Sequence, residues 1–445
     1  MRKLSSGIKS ILAKPLFANM VLVAGITLLV KGLSFYKETL VVSTFGLSEQ
    51  LDTFFIAFLI PSFVQNVFVG ALKQLFIPNY IIELKKGENT GEFQSISFLI
   101  IIAIVLGLSL LSFIFVNYFL EYVFPNHSEA YYNLIKIQFY VILPALIFWS
   151  MGSIISGLLE IGNKFLISSI SPIFMALSTI FCLFFLNDFL QERVLAFGIL
   201  FGSIISFVFL LYFTLKNKLL LLKKPKINNN IKNMINQLPP KITSGLLTGI
   251  NPFVDQFFAA QLVVGSIASI NYGVKVPQFV IGILMLAIGN VFLPHFSKLV
   301  VEDINKAYQQ LFKILKLIFV SSAILAIIVS LLSENIISLL FERNEFTHDD
   351  TVIVSKIQQI VLVYVPFFLC TMVMVNFLTS INKIRFMAYV SLWNFIANLI
   401  LNYFLIQKYG VYGLVLSTTV VYVISSLIYF KFTKKHFNNL KSIKL

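Results

Sequence analysis

Apolar runs long enough to cross a bilayer follow one another along nearly the whole chain, parted by short polar turns. A helix needs about 20 apolar residues to traverse the hydrocarbon core. On that rule the pattern predicts twelve spans, at 18–45, 52–83, 94–123, 131–158, 164–187, 193–215, 238–264, 268–299, 307–332, 351–380, 385–406 and 411–431. The expected fold is an all-α polytopic membrane protein of about twelve transmembrane helices. Met1 to Lys14 reads as a basic, mildly amphipathic lead-in on the cytoplasmic membrane surface. It has no small-residue cleavage site after a short apolar core.

The pattern also repeats. Pro61-x-Phe63-Val64 and Phe76-Ile77-Pro78 recur, with the same internal spacing, as Pro277-x-Phe279-Val280 and Phe292-Leu293-Pro294. Each copy sits on the second span of its half, and an even number of spans separates them. Topology is then preserved, so the halves are expected to be parallel repeats about an axis along the membrane normal. The predicted organisation is an N-terminal lobe at 1–215, a basic cytoplasmic linker at 216–237 and a C-terminal lobe at 238–445 with a basic tail. These make two pseudo-symmetric six-helix lobes around a central cavity. From Lys216 to Lys241 there are seven Lys, several Asn and no acidic residue. That stretch reads either as a linker that also meets anionic lipid headgroups or as an ordinary basic loop.

Composition agrees with the span pattern. Apolar residues make up 58% of the 445 and charged residues 12%, against about 45–50% and 25% in soluble domains. Mean hydropathy is +0.90. The net charge of +15 does not point to nucleic acid, because the basic residues fall in short loops between apolar runs. Arg2, Lys3, Lys9 and Lys14, then Lys85, Lys86, Lys164, Lys298, Lys306, Lys383 and Arg385, join the 216–241 Lys residues and the tail on one side. Only Arg193, Arg343 and Lys408 fall on the other. The positive-inside rule then puts both termini in the cytoplasm.

No enzyme site is legible. The chain lacks a phosphate-binding Gly loop of the P-loop kind and a His-Glu-x-x-His motif. Cys182 and Cys370 lie inside apolar segments, so neither a disulfide framework nor a Cys metal site is readable. The four His residues fall at span ends or in loops. Without an ATP-binding module, any transport draws on an ion gradient, the membrane potential or the substrate gradient.

The informative residues are intramembrane charges. Lys31, Lys37 and Glu38 sit in the outer half of the first span, and Glu49 and Asp52 form an acidic turn after it. Lys275 lies in the eighth span. An uncompensated Lys at bilayer depth costs roughly 2.5–3.5 kcal/mol, so such residues face a wet cavity or a partner. Cations from both halves suit a headgroup carrying two or more negative charges. The alternative for Lys37 is an ion pair with Asp52 or Glu38 that fixes the helix. Lys73 and Lys136 read as snorkelling residues near the interface.

The stretch Lys37-Glu38-Thr39-Leu40-Val41-Val42, then Phe45-Gly46, then Asp52-Thr53-Phe54-Phe55-Ile56-Ala57-Phe58-Leu59-Ile60-Pro61 resembles the opening of the MurJ/MviN lipid II flippase family. That family belongs to the MOP group of flippases and exporters, which implies a MOP/MATE-like fold. The resemblance places the family's substrate-cavity arginines at Lys31, Lys37 and Lys275, with Glu38 and Asp52 beside them. A further cavity arginine aligns with the uncharged Asn66, and the acidic residue expected just before Gly70 is missing. The family's two extra C-terminal spans, associated with a groove for the lipid tail, are also missing. Asp255, Asn394, Asn398 and Thr418 match by position a sodium site of some members; the same groups also suit plain interhelical hydrogen bonding.

The resemblance thus implies an inner-membrane flippase that moves a polyprenyl-pyrophosphate-linked saccharide, such as lipid II, to the outer leaflet by alternating access. Its expected partners are that lipid, the bilayer and enzymes of cell-wall or polysaccharide synthesis, with Na+ or the membrane potential as coupling and no other cofactor. The departures keep a second polyprenyl-linked glycan open, such as an O-antigen or capsule repeat unit. A cation-coupled MATE-type exporter and a non-transporting scaffold for glycan assembly are the other readings.

Overall fold

The computed structural model describes residues 15–86, 89–249 and 251–442, so the lead-in Met1–Lys14 lies outside the described residues. Among the described residues every regular element is helical. Nine helical stretches among them are long and apolar enough to cross a membrane. Eight carry one predicted span each, and the ninth, Arg385–Leu440, carries the last two. The spans predicted at 18–45 and 238–264 fall on other helices, Pro15–Phe45, Asn229–Gly249 and Asn251–Ala259.

By contacts the chain divides into two units. Unit 1 comprises Met1–Val41 and Thr53–Ile250, and unit 2 comprises Val42–Asp52 and Asn251–Leu445. Helices of unit 1 are named in chain order: α1 (Pro15–Phe45), α2 (Glu49–Val64), α3 (Gly70–Lys86), α4 (Thr90–Val123), α5 (Glu129–Ile142), α6 (Ala145–Ile161), α7 (Phe165–Ile170), α8 (Ile173–Phe185), α9 (Val194–Lys216) and α10 (Asn229–Gly249). The last four residues of α1 and the first four of α2 count with unit 2.

Pro61 lies inside α2 and has no N–H to give to the helical ladder. A single π turn, Gln65–Val69, then joins α2 to α3, with the Gly70 N–H donating to the Gln65 carbonyl. One face of α4 is buried through Phe93, Ile101, Val105 and Val116, while Leu110, Tyr118 and Tyr122 stand exposed. Apolar side chains left outside on a helix of this length suit contact with lipid rather than water.

The basic stretch after α9 is held to unit 1 by polar side chains of α4. The Gln94 amide donates to the Leu219 carbonyl at 2.9 Å and accepts from the Leu221 N–H at 2.7 Å. The Ser95 hydroxyl donates to the Lys223 carbonyl at 2.6 Å. Next, Asn228 and Asn230 donate to the buried Glu83 carboxylate at 2.8 and 3.0 Å, and α10 packs on α3. The division between the units falls after α10, at Ile250, because these hydrogen bonds tie residues 219–230 to α3 and α4.

In unit 2 the helices are α11 (Asn251–Ala259), α12 (Ser266–Gly273), α13 (Lys275–Glu302), α14 (Ile304–Leu331), α15 (Ser333–Phe341), α16 (His348–Ser380) and α17 (Ile384–Ser442). Gly410, at φ +55° and ψ −133°, kinks α17 in two. Helix α16 is the core element: Val365, Leu369, Val373, Phe377 and Leu378 pack with residues of α13, α14 and α17. Its start is a capping box, in which Thr347 Oγ1 accepts from the Asp350 N–H and Asp350 Oδ2 accepts from the Thr347 N–H.

Candidate functional site

The three expected cations occupy different settings. Lys31 is half-buried on α1 and makes no ion pair with any described acidic residue. Lys37, six residues on, pairs with Glu38 at 2.6 Å, both side chains about one-fifth exposed. Its charge is therefore met locally, as one of the two sequence readings proposed. Lys275 opens α13 in unit 2 and places its Nζ 5.8 Å from the centre of the Tyr272 ring, a distance at which an aromatic face attracts a cation.

Asn66 lies within the π turn and lines a cavity of about 670 Å³ inside unit 1. Lys73, two turns further along on the same face, lines it too. The snorkelling reading of Lys73 is corrected here. Its Nζ pairs with Glu160 on α6 at 2.7 Å and donates to Ser156 at 3.2 Å. Two helices of unit 1 thus present opposite charges to one another, which removes the need to reach the headgroups.

Asp52 is 3% exposed, and both carboxylate oxygens are in use. Oδ2 accepts from the Gly265 N–H and Oδ1 from the Ala268 N–H, each at 2.7 Å. These amides sit at the start of α12, where backbone donors have no helical partner and negative charge is favoured. Gly265 holds φ +88°, and a Cβ there would stand 2.6 Å from the Leu47 carbonyl oxygen. Only glycine fits that approach. The structure therefore places Asp52 as a helix cap.

The expected cation ligands converge in unit 2, with one residue that the sequence reading passed over. Asn402, on α17 and fully buried, donates to Asp255 Oδ1 at 3.3 Å and to Asn398 Oδ1 at 3.2 Å. It also accepts from the Ser417 hydroxyl, and Asn398 donates to Thr418 Oγ1 at 3.3 Å. Asn394 pairs elsewhere, with the Ser425 hydroxyl at 3.0 Å. The signal was present in the chain: Asn394, Asn398 and Asn402 recur every four residues on one helix face. Four residues before Asp255, Asn251 Oδ1 is buried and has no hydrogen-bond partner. A carboxylate with the amide oxygen of Asn398 and the hydroxyl of Thr418 fits a hard monovalent cation by donor type. Among the described residues no cluster of His, Cys, Asp and Glu could hold a transition metal.

Comparison with known proteins gives the family. The sequence model described as "Lipid II flippase MurJ" matches residues 41–445. The probable lipid II flippase MurJ of Buchnera aphidicola subsp. Acyrthosiphon pisum (strain APS) is 26% identical over 425 residues, covering 92% of this chain and 81% of that protein. That of Vibrio cholerae serotype O1 is 25% identical over 358 residues, covering 76% and 67%. Among solved structures, a lipid II flippase MurJ in an inward closed conformation superposes with a TM-score of 0.77 at 24% identity, covering 93% of this chain and 87% of that one. An inward-facing MATE family multidrug transporter of the MOP superfamily gives 0.72 at 13% identity, covering 94% and 99%. The family match across nine-tenths of the sequence makes this multi-pass membrane protein a member of the MurJ lipid II flippase family, whose fold it shares.

Proposed function

We propose that the protein carries a polyprenyl-pyrophosphate-linked saccharide of the lipid II type from the cytoplasmic to the outer leaflet of the bacterial inner membrane, by alternating access. The observation that supports it most is Lys31, a half-buried cation on an apolar helix with no acidic partner among the described residues. A cation in that state is costly unless an anion reaches it, and a pyrophosphate supplies one. In this reading Lys31 of unit 1 meets the pyrophosphate, and Lys275 of unit 2 is a second cation proposed for the same cargo. Lys37 acts through its pair with Glu38, Asn66 meets uncharged parts of the headgroup, and Asp52 stabilises unit 2, which carries Lys275.

Sodium is the proposed coupling ion, held by Asp255, Asn398 and Thr418 with Asn402 bridging them. A bound cation would supply positive charge against the Asp255 carboxylate, with Asn402 keeping Asp255 and Asn398 together. Both termini lie in the cytoplasm, and enzymes that make or use the lipid-linked saccharide are the proposed partners. The uncharged Asn66 favours a second cargo of the same chemistry, another polyprenyl-linked glycan.

The test is transport by purified protein in liposomes carrying lipid II, with complementation in cells. Lys31→Ala and Lys275→Ala are expected to abolish flipping while the protein still inserts, and Lys31→Arg to retain it. Wild-type activity in both Ala variants ends the assignment, and preference for another lipid-linked glycan moves it to the second cargo.

A further inference from the structure

The cavity inside unit 1 has a chemistry that the pyrophosphate contacts leave unused. Its volume of about 670 Å³ is within the range of small-molecule sites. One wall is a single face of the continuous α2–α3 helix, carrying Ser62, Gln65, Asn66, Lys73 and Gln74. The opposite wall offers Trp149, Ser153 and Ser156 of α6, with Ser203 and Ser206 of α9.

Three hydroxyls of this lining are already committed as donors, while the side-chain amides of Gln65, Asn66 and Gln74 carry both donors and acceptors. The Ser62 hydroxyl donates to the Leu59 carbonyl at 2.8 Å, that of Ser203 to the Ile199 carbonyl at 2.6 Å, and that of Ser171 to the Ser168 carbonyl at 3.0 Å. Each hydroxyl has one hydrogen, so these three keep only lone pairs for a ligand. Gln65 Oε1 is shielded from solvent and accepts no hydrogen bond among the described residues. Such an acceptor is costly until a donor reaches it. The π turn that carries Gln65 is a local departure of a kind common at binding sites.

Charge is balanced as well. The Lys73 ammonium is met by Glu160 at 2.7 Å, and Ser156 closes the triangle by donating to Glu160 at 3.0 Å. An anion would find no unneutralised cation in this lining and a cation no surplus carboxylate, whereas a hydroxyl, which both donates and accepts, suits the mixed amides and hydroxyl lone pairs. Trp149 is half-buried, with the Phe58 ring edge-on at 6.1 Å, and supplies an aromatic face. A ligand with many hydroxyl donors, no charge and an apolar C–H face matches all three features.

We propose that this cavity is a saccharide subsite, which takes a neutral pyranose ring with Trp149 against its face and Gln65 and the Lys73–Glu160–Ser156 triangle at its hydroxyls. It rests on the flippase reading only for the cargo's being a lipid-linked saccharide. The sugar is thereby recognised apart from the pyrophosphate.

The chain has two tryptophans, Trp149 and Trp393, so Trp393→Phe leaves Trp149 as sole reporter. Purified full-length Trp393→Phe protein is titrated with N-acetylglucosamine, glucose and sodium pyrophosphate while tryptophan emission is followed. A saturable response to either sugar and none to pyrophosphate is expected. Lys73→Met with Glu160→Gln, or Gln65→Leu alone, should weaken the sugar response about tenfold, the scale of one lost polar contact. Lys73→Arg and Lys31→Ala should leave it unchanged. Silence toward both sugars, an equal response to pyrophosphate, or indifference to both cavity variants overturns the subsite. Lipid II flipping by the Trp393→Phe protein separates the two readings. Flipping with a silent Trp149 sinks the subsite alone, whereas a responsive Trp149 without flipping sinks the flippase reading and leaves the sugar site standing.

Discussion

The carboxylate of Asp52 caps Gly265, accepting its N–H at 2.7 Å across 213 residues of chain, and takes the Ala268 N–H with its other oxygen. The acidic turn after α1 is thus clamped to the start of α12 within unit 2. Asp52→Ala would bury two amides without acceptors, at a cost of about 2–5 kcal/mol. A lower melting temperature in detergent and less protein in the membrane are expected. Lys37→Ala should leave the melting temperature near wild type, since its pair with Glu38 lies within one helix. Thermal unfolding of the two variants side by side checks the contrast.

Gly46 ends α1 in the left-handed region, at φ +59°, with its N–H on the Val42 carbonyl at 2.8 Å. A Cβ there would stand 2.5 Å from the Glu345 carbonyl oxygen. Alanine at a positive φ is strained even in open space, and here the backbone must also give way. Gly46→Ala is expected to destabilise unit 2 by more than about 1 kcal/mol. Wild-type resistance of this variant to heat and protease would show that the close approach of Glu345 has no weight.

Asn402 bridges Asp255 and Asn398, so it controls whether the proposed sodium ligands stay together. Replacing choline by sodium at equal ionic strength should raise the wild-type melting temperature, because a ligand that binds only the folded state stabilises it. Asn402→Leu and Asp255→Asn should each flatten that dependence. A sodium effect that survives in both variants would place the ion elsewhere.

Outside the spans, Glu342 is held below the usual carboxylate range by hydrogen bonds from Ser338 and Thr351, with His348 adding a smaller contribution. The Thr351 hydroxyl donates at 2.9 Å and the His348 ring lies 3.4 Å away. A depressed pKa stabilises the fold above the ordinary value, near 4.3 for Glu, and that contribution is lost as pH falls through the lower folded value. Stability measured from pH 6 downward should therefore decline in the acid range, and Glu342→Gln should reduce the slope. An unchanged slope in the variant would assign the acid sensitivity to other groups.

How much of this was written in the chain depends on the range of each interaction. Span positions were legible because hydrophobicity over about 20 residues is a local property. Lys31 and Lys275 stood out by the same rule, as charges where hydrocarbon was expected. Asp255, Asn398 and Thr418 could be named from position, and the four-residue step to Asn402 was available on the same helix face. The role of Asp52 was not legible, since its partners are amides 213 and 216 residues away and any residue type carries an amide. Nor was the Lys73–Glu160 pair, which joins residues 87 apart: charge alone cannot tell a snorkelling lysine from one facing a carboxylate on a neighbouring helix. The basic stretch after α9 read as a linker that meets lipid headgroups or as an ordinary basic loop, and only the packing of α4 beneath it put Gln94 and Ser95 within reach of its backbone. Sequence by itself determined which segments enter the membrane and which of them carry charge. Tertiary structure decided which charges are already neutralised and which still await a partner, because that depends on the azimuth at which each helix meets its neighbours.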